Sequence, residues 1–380
     1  MFPDGNTIYF WGFADSDSGG NFQYPGPTLC VNEGDTVTVN LDNTLDEPVS
    51  IVFPGQVGVL ASMVSGAGNN GIFTLEANPG ETVQYSFIAS QPGTYLYESG
   101  TAPHKQIQMG LFGALVVRPA MDTATEHFAY NDASTEYNPE YEYLLLLHDI
   151  DPDLHRAVEL GTTYDVTAKH DRYWTINGRS NPDTLFGNDV PWLPNQPYGA
   201  MVTIREYDAA DNPLPALIRY ANAGMENHPF HPHGNHLRII AQDGNLLQGA
   251  GGEDLSFEGF TRTVGSGQTY DLLVEWRNLG DGTLSAPNPF SSTGNPLPAN
   301  PDAVPFPGLY NLVDFEDGFY SGSPYFGELA DRLVGSIPYN ECGELYFPWH
   351  SHALNEVQNF DEGFGGMLTL WRIEPLNGCQ

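Results

Sequence analysis

Lysine is almost missing from this chain: Lys105 and Lys169 are the two examples among 13 basic residues, set against 48 acidic ones, and the formal charge is −35. A surface so poor in cations repels phosphate backbones, which excludes nucleic acid as a partner. The acidity itself suits solubility, a saline or acidic habitat, or attraction of metal cations. Long hydrophobic runs are also absent: no stretch of 18 apolar residues occurs, so nothing here reads as a membrane span. The amino terminus, Met-Phe-Pro-Asp-Gly, lacks the basic and apolar regions of a secretory signal. If the protein is exported, that signal has been removed or was never in this sequence. Cysteine is scarce as well. Cys30, Cys342 and Cys379 permit one disulfide and one leftover thiol in three pairings, and a Cys342–Cys379 bridge would staple the end of the last domain.

What is abundant points to strands. The 42 glycines, 30 prolines and 20 tyrosines stand among Val/Thr/Ile-rich runs, a composition for short strands joined by many turns. At 380 residues the chain has room for two domains. Residues 28–41 read as two alternating strands broken at Glu33-Gly-Asp35, with further strands at Thr82–Ile88 and Gly113–Val117. This is the rhythm of a Greek-key sandwich, and it predicts a first domain over residues 1–120. The polar, aperiodic stretch 121–141 reads as a linker.

A second domain over 142–380 begins with the apolar run from Tyr143 to His148. It continues through Tyr173–Arg179, Met201–Arg205, Leu217–Tyr220, Leu237–Ala241 and Tyr270–Trp276, and closes with Glu344–His352 and Gly366–Ile373. A Pro/Ser/Asn-rich loop insertion interrupts it around 284–338, with a short helix predicted at Tyr325–Val334. The fold class read from this pattern is all-β, two sandwiches in sequence.

Six of the eleven histidines fall in two windows, His228-Pro-Phe-His231-Pro-His233-Gly-Asn-His236 and His350-Ser-His352. Side chains two apart on extended backbone share a face, so His231 with His233, and His350 with His352, each aim two imidazoles the same way. If the two strands are neighbours, four ring nitrogens converge. An imidazole-only donor set suits copper, zinc, iron or nickel, and copper binds most tightly of these. The isolated His127, His155 and His170 read as hydrogen-bonded loop residues, and His148 as a strand-end residue.

The order of Tyr24-Pro-Gly-Pro-Thr-Leu29, Glu33-Gly-Asp-Thr-Val37, Gly93-Thr-Tyr-Leu-Tyr97, Gly110–Val117, Ile176-Asn-Gly-Arg179 and the paired histidine windows resembles the multicopper oxidases, over nearly the whole chain. The resemblance is to their two-domain branch. It implies two cupredoxin-like Greek-key domains, a secreted or periplasmic location, and a homo-oligomer, usually a trimer, with metal clusters at subunit interfaces. It implies also that His228 answers to a ligand of the type 1 copper, and His231, His233, His350 and His352 to ligands of the trinuclear centre.

The departures from the family pattern set the functional expectation. Ser351 stands where that family has the thiolate of blue copper, Glu356 stands at the second type 1 histidine, and Met367 keeps the axial position. In the first domain the histidine pairs are replaced within Ile51-Val-Phe-Pro-Gly55 and Tyr97-Glu-Ser-Gly100, with Glu98 or His104 as nearby substitutes. A laccase mechanism cannot run on this set. The expectation is a copper-binding protein with a type 2-like site of His231, His233, His350 and His352, carrying binding or modified oxidoreductase chemistry. The alternative is a structural or assembly subunit with a stabilising ion, and zinc is the alternative metal.

Overall fold

The computed structural model describes residues 2–16, 19–277, 345–363, 365–374 and 376. The loop insertion, the helix expected at 325–334, and Cys342 and Cys379 with their expected bridge lie outside the described residues. Cys30 carries an exposed free thiol.

The longer strands of the first unit are β1 (Leu29–Asn32), β2 (Thr36–Asp42), β3 (Leu60–Ser65), β4 (Thr82–Ile88), β5 (Gly93–Glu98) and β6 (Phe112–Arg118). They form two three-stranded sheets, β1-β6-β5 and β2-β4-β3, with β1 parallel to β6. Alternation decides what fills the space between them. Val83, Tyr85 and Phe87 of β4 face Tyr95 and Tyr97 of β5 and Leu115 and Val117 of β6, all buried in one cluster. The Glu33-Gly-Asp35 break between β1 and β2 is a tight turn in which Gly34 takes φ +91°, a conformation L side chains rarely adopt.

The second unit contains β7 (Glu142–Ile150), β8 (Tyr173–Ile176), β9 (Val202–Arg205), β10 (Ala216–Asn222), β11 (His228–Pro232), β12 (Leu237–Gln242), β13 (Phe257–Gly259), β14 (Arg262–Val264), β15 (Thr269–Val274), β16 (Leu345–Ser351) and β17 (Leu368–Glu374). One large sheet runs through β12-β15-β10-β7-β8, and a five-stranded sheet runs β9-β17-β16-β11-β14. Their inner faces meet in a core that includes Leu145, Leu147, Tyr220 and Leu272 from the first sheet and Phe230, Trp349 and Trp371 from the second. The chain is thus all-β, two cupredoxin-like sandwiches.

The unbroken leucines of β7 have a physical reason: both faces of the strand are covered. Leu145 and Leu147 enter the second core, while Leu146 and Ile150 pack with Leu96, Phe112 and Tyr24 of the first unit. Beside this seam Arg219, 1% exposed, donates from Nε to Glu142 at 2.8 Å and from Nη1 to Thr94 at 3.0 Å, and pairs with Asp271 at 3.2 Å. The segment 121–141 is not a loose tether. Ala129, Tyr130 and Tyr137 pack on Leu217, Ile240 and Leu273, and the Tyr130 hydroxyl donates to Asp271 at 2.5 Å.

Candidate metal centre

Strands β11 and β16 lie side by side and antiparallel, with His231 directly opposite His350 and Phe230 opposite Ser351. The two-residue repeat then sorts the window. His228, Phe230 and Pro232 are buried on the inner face, whereas His231 is half-buried on the outer one, and His233 beyond the strand end continues that outer row. His350 is half-buried beside it and His352 is exposed.

On this outer face one nitrogen each from His231, His233 and His350 lie within 4.8 Å of one another. The Nε2 atoms of His233 and His350 are 3.0 Å apart. Two imidazole nitrogens bound at about 2.0–2.1 Å to a single ion stand roughly 2.9–3.4 Å from each other, so this gap fits either a shared proton or a shared metal. The tautomer of His350 follows from its other nitrogen: Nδ1 is 2.7 Å from the Ser351 carbonyl, which only accepts, so Nδ1 carries the hydrogen and Nε2 offers a lone pair. His231 Nδ1 is held by the Thr261 hydroxyl at 2.6 Å.

Burial first, and then the neighbouring imidazoles, push the rings of His231 and His233 towards the neutral form, His233 down to about 4; burial does the same for His350. Neutral rings are what a metal requires. His352 joins through its ring, 4.9 Å from that of His231 and 5.9 Å from that of His350 between centroids, but its nitrogens stand outside the convergent group. Exposed Phe260 edges onto His231 at 5.7 Å and lies 5.4 Å from His236. Sequence reasoning missed both Phe260 and Thr261. They reach the site from the turn between β13 and β14, and neither residue type marks itself as a site residue in sequence.

His228 belongs elsewhere. Its side chain is wholly buried, Nδ1 is 2.8 Å from Glu356 Oε2, and Nε2 is 3.6 Å from Asp149 Oδ1. That pocket faces the sandwich interior, on the opposite side of β11 from the three-histidine group. Glu98 and His104 do not join that group either. In the first unit the segments that lost their histidines are packed together: Val52 bridges Glu98 through the backbone, Ile51, Phe53 and Tyr97 are buried, and a Cβ added at Gly100 would come within 2.7 Å of Val52 Cγ1.

A family model described as multicopper oxidase matches residues 13–122. L-ascorbate oxidase of Cucurbita maxima is 38% identical over 275 residues, covering 67% of this chain and 41% of that protein. A copper-containing nitrite reductase of Neisseria gonorrhoeae is 38% identical over 117 residues, 30% of this chain and 26% of that protein. The chain therefore spans about two-fifths or less of the length of these curated relatives. Among solved structures, the blue copper oxidase from Nitrosomonas europaea superposes with a TM-score of 0.58 at 20% identity, over 92% of this chain and 77% of that one. The multicopper oxidase mgLAC gives 0.57 at 18% identity, over 94% and 79%. Residues 13–122 thus match the multicopper oxidase family, and the described chain as a whole shares the cupredoxin-like fold of these solved oxidases.

Proposed function

We propose that His231, His233 and His350, with His352 beside them, hold one copper ion in a type 2-like site, and that the protein is an extracytoplasmic copper protein of modified oxidoreductase chemistry without laccase activity. The observation that carries this reading is the convergence of three imidazole nitrogens within 4.8 Å on one face of two paired strands. All three donors are borderline nitrogen ligands, a set that favours copper over hard cations. Bound there, copper supplies a one-electron redox centre and a Lewis-acidic position for a small oxygen-containing ligand.

The chain's own residues do the rest. The Ser351 carbonyl fixes His350 with Nε2 outward, and Thr261 fixes the His231 ring. The group is half-buried and open on the His352 and Phe260 side, which supports exchangeable chemistry over a closed structural ion. The absence of histidines from the packed segments around Val52 and Glu98 supports the exclusion of a three-copper oxygen-reducing cluster within one chain.

The same reading places the domains at 1–120 and 142–380, joined by 121–141, and the protein in the periplasm or outside the cell as a homotrimer, which light scattering tests. The site itself is tested by metal analysis after separate loading with copper and with zinc, paired with an electron paramagnetic resonance spectrum and assays of oxygen and nitrite turnover. About one copper per chain with a type 2 signal is expected. No bound copper, or an intense thiolate-to-copper colour, overturns the reading.

A further inference from the structure

A cavity of about 160 Å³ lies where the segment 121–141 meets β12, on the large sheet of the second unit and not on the five-stranded sheet that carries the histidines. Ile240 and Leu246 give it an apolar side, continuous with the cluster of Tyr130, Tyr137 and Leu217. Asp132, Arg238, Gln248 and Asp254 give it a polar one. An apolar cavity of about 150 Å³ holds benzene, so this one has room for roughly six heavy atoms.

The charges of this cavity do not balance. Arg238 is already paired: its Nη2 donates to Asp254 Oδ2 at 2.9 Å and its Nε to Ser256 Oγ at 2.8 Å. Asp132 meets neutral donors instead, the Ser134 N–H at 2.8 Å, the Ser134 hydroxyl at 2.7 Å and the Gln248 side-chain amide at 2.8 Å. The Ser134 bonds hold its carboxyl below the ordinary range, so it is ionised at neutral pH. Three of the roughly four lone-pair sites of that carboxylate are filled and one is left. Two carboxylates against one guanidinium leave one negative charge over, in a chain whose formal charge is −35. An anion is repelled from such a cavity. A metal ion finds too few ligands there, because among the described residues three ligand atoms converge only on the histidine face.

We propose that this cavity binds a small aliphatic ammonium ion, its charged head on Asp132 and its carbon chain along Ile240 and Leu246. The head brings N–H donors to the lone pair that Asp132 has left, a charge-assisted bond stronger than those the neutral donors make. The chain covers the apolar side. Asp132 belongs to the segment 121–141, while Ile240 and Leu246 belong to the second sandwich, so the bound amine ties one to the other and stabilises the folded chain by mass action. The site is independent of the histidine face and of any metal held there.

The test is a titration of the purified full chain with n-butylammonium chloride, followed by amide NMR and by thermal unfolding. Saturating shifts confined to the surroundings of Asp132, Ile240 and Gln248, with a rise in the unfolding temperature, are expected. Sodium butyrate and n-butanol should produce neither. Asp132→Asn keeps the bonds from Ser134 but loses the charge, and should weaken butylammonium binding roughly tenfold or more. His231→Ala should leave it unchanged, which separates this cavity from an amine bound at the histidine face. No saturable shift, n-butanol binding as well as the amine, a preference for butyrate, or affinity unaltered by Asp132→Asn overturns the proposal. If Asp132→Asn fails to fold, the comparison of the three guests on the wild-type chain decides.

Discussion

Two kinds of histidine sit three residues apart on strand β11. His231 looks out to His233 and His350, rings like itself, and the group keeps neutral imidazoles with one proton between two nitrogens. His228 looks in to Glu356 and Asp149, whose carboxylates push its ring up to about 9 against burial. Arg219, between Glu142 and Asp271, and Lys169, between Asp149 and Asp171, repeat the second arrangement. In a chain with 48 acidic residues and 13 basic ones, a buried cation finds more than one carboxylate. What a histidine does is therefore set by its neighbours: imidazoles leave lone pairs to share, and carboxylates consume them as charge.

The largest way to break the contrast is to remove a ring from the open face. His350→Ala, like His231→Ala, should abolish copper binding as measured by metal content, with little change in thermal unfolding of the metal-free protein. Removing a clamped cation should do the reverse. Arg219→Met leaves Asp271 buried without its cationic partner and Glu142 with Arg118 alone, and is expected to cost about 3–5 kcal/mol in denaturant unfolding. Smaller is the loss of a support: Thr261→Val leaves His231 in place but takes away the hydroxyl on Nδ1, and copper affinity should weaken roughly 10–100-fold in a competition titration.

Acid sharpens the carboxylate half. Burial alone would raise the Glu142 carboxyl, but Arg219 and Arg118 prevail and hold it at about 2, below its ordinary 4.5. A depressed folded value means stability present above the unfolded value and lost as pH falls through the folded one. Unfolding midpoints should therefore drop between about pH 4.5 and 2, and Glu142→Gln should flatten that slope.

Much of the scaffold was legible. The alternation of Thr82–Ile88 and the unbroken leucines after Tyr143 marked a half-buried and a twice-covered strand, and these became β4 and β7. The parity of His231, His233, His350 and His352 predicted a shared face, and the register of β11 with β16 shows which three nitrogens draw together on it. The helix Pro152–Glu159 was readable in principle, from Asp151 capping Leu154 and Asp153 N–H groups ahead of a proline, but it is too short for its periodicity to stand out. Residues 121–141 looked polar because Asp, Glu, Thr and Asn outnumber the few residues, Ala129, Tyr130 and Tyr137 among them, that pack on the second unit. The resemblance already set Glu356 with His228 as the second type 1 position, but Asp149, the other carboxylate at that ring, was out of reach: nothing in the sequence links it to His228 before the strands fold together.

The most direct measurement is pulsed electron paramagnetic resonance of the wild-type protein loaded with one equivalent of copper. Nitrogen couplings from several imidazoles, lost in His350→Ala and unchanged in His228→Gln, are the predicted result. A copper signal without imidazole coupling, or one that depends on His228 and not on His350, would contradict the site.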